Sequence, residues 1–145
     1  VQLIWQTGER DFEKIKLATT TLSGIRVEKF IERMEYAYAA ADLVVCRAGA
    51  ITIAELTRVG KAAVFVPYPH AAAGHQFLNA RALVDAGAAG IVLDDELVPK
   101  LKEEVFALLR DDYRREEMAK RSRSLGKPDA ARKIAEAVLC LASVT

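Results

Sequence analysis

Two short stretches carry side chains whose types and spacing suit chemistry. The first is Arg47-Ala48-Gly49-Ala50-Ile51-Thr52-Ile53-Ala54-Glu55, directly after the apolar run Leu43-Val44-Val45-Cys46. It reads as a strand, a small-residue turn and a helix start. Backbone N–H groups at a helix N-terminus lack intrahelical partners and carry the positive end of the macrodipole, so this helix start suits an anion. Ala48, Gly49 and Ala50 let a phosphate approach the main chain closely. Glu55 follows one helical turn later, on the side of Ile51 and Thr52, where a nucleotide ribose could present two hydroxyls. The stretch predicts a nucleotide-diphosphate cradle.

The second stretch, Val66-Pro67-Tyr68-Pro69-His70-Ala71-Ala72-Ala73-Gly74-His75-Gln76-Phe77-Leu78-Asn79-Ala80, is a loop leading into another helix. Residues three and four apart share a helix face, so Asn79 falls beside His75 and Gln76 and supplies amide donors and acceptors suited to sugar hydroxyls. Arg47, closing a strand, is expected to brace loops by pairing with a nearby carboxylate. His70 is expected to be an exposed loop residue.

These residues need a scaffold, and period and punctuation supply one: strand 1–5, helix 11–20, strand 25–30, helix 32–40, strand 42–46, helix 50–59 and strand 62–66. A loop at 67–74, a helix 75–86 closed by Gly87, a short strand 89–93 and helices near 97–110, 112–124 and 129–142 complete it. Repeated β-α alternation predicts an α/β, Rossmann-like parallel sheet covered by helices. The continuous apolar runs at 43–46 and 63–66 predict strands buried on both faces. In such sheets ligands bind beyond the carboxyl ends of the strands, where both stretches fall. Trp5 and Phe65 are expected as core or sheet-edge aromatics, and Tyr36 and Tyr38 as residues packing a helix against the sheet.

At 145 residues and 52% hydrophobic content the chain can bury one ordinary core, and it shows no repeat or long linker, so residues 1–145 are expected to form one domain. A net charge of +1 speaks against nucleic-acid binding, which calls for a strong basic excess. Seven basic and four acidic residues in 110–127 read as a solvated helical face. Cys46 and Cys140 are expected as buried small hydrophobes in a reducing compartment. No apolar run approaches the roughly 20 residues of a membrane span. The chain starts inside an apparent strand without an initiator methionine, which leads us to expect a fragment of a longer protein.

The pattern Arg47-Ala48-Gly49-Ala50-x-Thr52-x-x-Glu55, followed by Pro67 and His75-Gln76-x-x-Asn79-Ala80, resembles the carboxy-terminal half of the MurG family, GT-B glycosyltransferases of family 28. Nearly the whole chain takes part. Trp5-Gln6-Thr7-Gly8 resembles the family's strand-end His-Gln-Ser/Thr-Gly, with Trp5 in place of the histidine. Phe30-Ile31-x-x-Met34 and Tyr38-x-x-Ala41-Asp42 resemble its uracil-side segment.

The resemblance implies transfer of N-acetylglucosamine, with inversion, from UDP-N-acetylglucosamine to undecaprenyl-diphosphoryl-muramoyl-pentapeptide. It makes Glu55 the ribose ligand, Ala50, Ile51 and Thr52 the diphosphate contacts, Gln76 and Asn79 the readers of the sugar, His75 a hydrogen-bonding ligand, and Ile31 a backbone contact to uracil. No catalytic residue is expected in this chain, because the family's base candidate and acceptor site belong to an amino-terminal lobe. The implied setting is peripheral, on the cytoplasmic face of the bacterial inner membrane. No Asp-x-Asp occurs, so we expect no protein-bound metal and no cofactor, with helix-terminal N–H groups stabilising the departing UDP. Two other readings stay open: a related lipid-linked-sugar or glycolipid glycosyltransferase subunit, and a non-catalytic nucleotide-binding module on the same fold.

Overall fold

A computed structural model describes residues 1–142. The chain divides into two compact units, one of residues 1–41 and one beginning at Asp42.

In the first unit, β1 (Leu3–Gln6) and β2 (Ile25–Glu28) pair in parallel, Leu3 opposite Ile25 and Gln6 opposite Glu28. Parallel neighbours need a crossover, here α1 (Gly8–Thr19). The Thr7 and Gly8 amides donate to the Glu28 and Lys29 carbonyls at 3.0 and 3.1 Å, so the ladder runs on into the helix start. Gly8 takes φ +75°, a left-handed value that favours glycine, and this lets the chain turn straight from strand to helix. After β2 comes α2 (Met34–Ala40). Tyr38 is buried, as its packing role requires, but Tyr36 is 62% exposed. Its ring lies instead under the Arg33 guanidinium, 4.5 Å from the ring centre, and Arg33 Nη2 donates to its hydroxyl at 3.0 Å, a cation–aromatic pairing that needs no burial.

The second unit holds a three-stranded parallel sheet of β3 (Val44–Cys46), β4 (Ala63–Phe65) and β5 (Gly90–Ile91), with β4 in the middle. Cys46 pairs with Phe65 and Phe65 with Ile91, so the chain leaves all three strands at one edge. β4 is buried throughout. β3 is not: it ends this sheet, and Val45 remains 43% exposed, because a continuous apolar run does not by itself say which strand lies inside. α3 (Ala50–Val59), α4 (His75–Asp85), α5 (Lys102–Arg110), α6 (Asp112–Leu125) and α7 (Ala130–Ala142) complete the unit. Cys140 is exposed on α7, which has no buried residue, so the expectation of a buried thiol fails there.

Behind the sheet edge lies a firm core. Ala62, Val64, Val92, Leu108 and Met118 form one buried cluster, and Leu56 of α3 and Phe65 are fully buried. Burying a Leu or Phe side chain contributes about 1.5–3 kcal/mol, which anchors α3 from its far end. α6 meets α3 closely. The buried Ser122 hydroxyl donates to the Leu56 carbonyl, and Arg123 Nη2 donates to the Val59 carbonyl at 2.9 Å, serving a helix end that would otherwise lack partners. Gly60 closes α3 at φ +65°, where a Cβ would come within 2.7–2.8 Å of Arg123.

Candidate donor-binding site

The parallel register explains why two distant stretches meet. β3 delivers Arg47, β4 delivers Val66 and Pro67, and the chain beyond β5 delivers Asp94, all at the same edge. The Val66 amide donates to the Cys46 carbonyl and the Val92 amide to the Phe65 carbonyl, both at 2.9 Å. Past that point side chains take over from the ladder.

α3 starts at its expected residue. Gly49 is its cap, with extended φ −70° and ψ 146°, and no side chain accepts from the first turn. Any residue can adopt that conformation, and a Cβ on Gly49 would meet only Thr52 Oγ1, at 3.8 Å. Neither backbone geometry nor internal packing asks for glycine here. Its effect is to keep the approach to the N–H groups of Ala50, Ile51 and Thr52 open, as an anion would need. Glu55 stands one turn on and is exposed, as is Ile51, while Thr52 is half-buried.

α4 starts differently. A single 3-10 turn, Ala72–Gly74, precedes it, in which Ala73 (φ 49°, ψ 22°) and the cap Gly74 (φ 65°, ψ 18°) are both left-handed. Ala73 is the only non-glycine residue with positive φ among the described residues, a strained conformation held by its neighbours. The side chains of this helix start are engaged by the protein. Gln76 Oε1 accepts from the Tyr68 amide at 2.9 Å, and Asn79 Nδ2 donates to the Ala48 carbonyl at 3.3 Å. His75 Nδ1 lies 2.6 Å from the Ala72 carbonyl, which makes Nδ1 the donor of that bond and leaves Nε2 as the other hydrogen-bonding nitrogen.

The structure thus brings Ala50, Ile51, Thr52, Glu55, His75, Gln76 and Asn79 into one unit, and Asn79 directly against the small-residue turn. Ile31 belongs to the other unit, where its amide donates to Gln6 Oε1 at 2.8 Å. Gln6 was not foreseen as its partner. His70 is exposed, its ring edge-to-face with Tyr68 at 5.6 Å.

Arg47 is the brace its position suggested. Its Nη1 donates to the carbonyls of Val66 and Pro67 at 3.2 and 3.1 Å and to Asp94 Oδ1 at 2.5 Å, and its guanidinium lies over the Tyr68 ring at 5.5 Å. Asp94 was missed. The signal was available, because Asp94-Asp95-Glu96 directly follows a predicted strand and so falls on the ligand edge. Beneath the turn, burial pushes the Cys46 thiol up to about 12, so it is neutral at physiological pH and has no thiolate to act as a nucleophile. Among the described residues no three His, Cys, Asp or Glu groups gather as metal ligands, and no helix is long and apolar enough to cross a membrane.

The family model for the glycosyltransferase family 28 C-terminal domain matches residues 1–134. A Chlorobium phaeobacteroides protein is 48% identical over 141 residues, covering 97% of this chain and 39% of that protein. A Prosthecochloris aestuarii protein is 45% identical, covering 98% of this chain and 39% of its own length, and one from Myxococcus xanthus is 45% identical, covering 94% and 36%. All three are named UDP-N-acetylglucosamine–N-acetylmuramyl-(pentapeptide) pyrophosphoryl-undecaprenol N-acetylglucosamine transferase. The crystal structure of Acinetobacter baumannii MurG superposes with a TM-score of 0.84 at 34% identity, covering 95% of this chain and 42% of that one. The chain therefore spans about 39% of the length of the Chlorobium and Prosthecochloris relatives.

Proposed function

The chain belongs to the glycosyltransferase family 28 C-terminal domain family, and on that premise we propose that it is the donor-binding half of an inverting, GT-B-type N-acetylglucosaminyltransferase of peptidoglycan synthesis. Its donor is UDP-N-acetylglucosamine and its acceptor the undecaprenyl-diphosphoryl-muramoyl-pentapeptide. The relatives' names support the chemistry, and the covered share of their length supports a half-site.

One observation carries the reading. Asn79, from the stretch suited to sugar hydroxyls, hydrogen-bonds the Ala48 carbonyl in the turn suited to a diphosphate. A ligand with a diphosphate at the α3 start would therefore present its next group to α4. Glu55 accepts from the ribose hydroxyls, the N–H groups of Ala50, Ile51 and Thr52 take the diphosphate, and Gln76, Asn79 and His75 Nε2 read the sugar. When the anomeric C–O bond breaks, charge gathers on UDP, and oriented helix N–H groups stabilise it without reorganising. Acceptor and base come from elsewhere in the longer protein, working peripherally at the cytoplasmic face of the bacterial inner membrane and without nucleic acid.

Calorimetric titration with UDP-N-acetylglucosamine, UDP-glucose and UDP tests the proposal. Binding of all three, with the N-acetyl sugar preferred over glucose, is expected. An equal response to an unrelated nucleotide such as ADP would remove the uridine-sugar assignment.

A further inference from the structure

The Arg47–Asp94 pair lies outside the ligand set proposed above, yet it ties together the strand ends that carry that set. The β3–β4–β5 ladder ends at the Phe65 carbonyl, which accepts from Val92, and the next two carbonyls of β4's continuation accept from Arg47 instead. One guanidinium nitrogen thereby joins three strand ends: its own, that of β4 through Val66 and Pro67, and that of β5 through Asp94. The residue after Pro67 is Tyr68, whose ring lies under the guanidinium and whose amide donates to Gln76. Arg47 itself leads into Ala48, which receives Asn79. A short chain of contacts runs from Asp94 through Arg47 and Tyr68 to Gln76.

Charge explains the need for Asp94. Arg47 is about half exposed beside a turn suited to anions, and a free guanidinium there would swing toward the diphosphate. The carboxylate gives it a competing partner and keeps Nη1 on the two carbonyls.

We infer that Arg47 and Asp94 form a positioning pair that sets the loop holding Gln76 through the Tyr68 amide against the diphosphate turn, so that the site distinguishes a nucleotide sugar from the bare nucleotide. The inference rests on the donor-binding proposal and goes beyond it. Loss of the pair misplaces the sugar partners while leaving Glu55 and the α3 N-terminus in place.

The test measures affinities for UDP and UDP-N-acetylglucosamine, with thermal midpoints, in the protein as its gene encodes it and in its Arg47→Met, Asp94→Ala and Asp94→Asn variants. Asp94→Ala keeps the inference testable if Arg47→Met does not fold. The affinity for the nucleotide sugar relative to UDP is expected to fall about fivefold or more in Arg47→Met and Asp94→Ala. Asp94→Asn, which keeps an acceptor oxygen, is expected to restore part of it. A lowered midpoint with an unchanged ratio would reduce the pair to a structural brace and overturn the inference. Equal weakening of both ligands by Arg47→Met, with Asp94→Ala silent, would overturn it in favour of direct diphosphate contact. If the unaltered protein binds neither ligand, the donor-binding proposal fails first. If it binds both and only the ratio is insensitive, this inference alone fails.

Discussion

The starts of α3 and α4 share one sheet edge but are built from opposite materials. α3 opens from an extended glycine cap with no side-chain acceptor, so what it offers is backbone N–H groups plus one carboxylate a turn later. α4 opens from two successive left-handed residues, and its polar side chains are tied to the Tyr68 amide, the Ala48 carbonyl and the Ala72 carbonyl. A backbone site is insensitive to most side-chain changes, provided that nothing bulky covers it. A side-chain site is precise but depends on each of its own hydrogen bonds. This division suits a ligand with an invariant diphosphate and a sugar that must be told apart from its isomers.

The contrast can be broken most forcefully at Glu55, the one side chain assigned to the α3 side in the proposed binding mode. Glu55→Ala is expected to weaken UDP binding about tenfold to a hundredfold by calorimetry, since hydrogen bonds to a charged group contribute about 1.5–3 kcal/mol. Unchanged affinity would remove the ribose assignment. Gln76→Ala should act on the other side, lowering affinity for UDP-N-acetylglucosamine by about tenfold and for UDP by less, because it removes both the proposed sugar partner and the bond to Tyr68. Equal losses for the two ligands would erase the distinction between the helix starts.

Smaller changes sharpen it. Gly49→Ala should leave stability within about 0.5 kcal/mol, given its ordinary φ and the open space around it, while UDP affinity falls a few-fold. A large drop in thermal midpoint would show that the glycine serves the fold instead. Ala73→Gly, at φ 49°, should raise stability by about 1 kcal/mol in denaturant melts by relieving the left-handed alanine. Titration of Cys46 has no expected effect at neutral pH, where the thiol is protonated in the folded and unfolded chain alike. Its folded-state thiol titrates above its ordinary 9.0, so the stability it contributes is complete below that value and is lost as pH rises toward 12. Thermal midpoints of the native chain should therefore fall more steeply than those of Cys46→Ala between about pH 8 and about pH 10.5.

Much of this was legible in local pattern. The strand, small-residue turn and helix at 43–59 needed only apolar run length and glycine placement, and α3 begins and ends at its expected residues. The start of α4 was legible as well, because His75, Gln76 and Asn79 recur at helical spacing. Tyr36 and Cys140 were misjudged for one reason: apolar character says that a residue can be buried, while exposure depends on what other elements cover it. The same ambiguity hid the position of β3 at the end of its sheet.

The sequence alone determined the kinds of groups available: an uncapped helix start, a carboxylate one turn behind it and a cluster of amides on another helix. Spacing along a helix or strand is a local property, so a single chain segment suffices to specify it. Tertiary structure decided which groups meet. Parallel register across β3, β4 and β5 brings residues 47, 66, 67 and 94 to one edge, and there a single arginine closes three strand ends. No periodicity encodes a hydrogen bond between residues 47 positions apart. It exists because parallel pairing across the sheet sets those strand ends side by side.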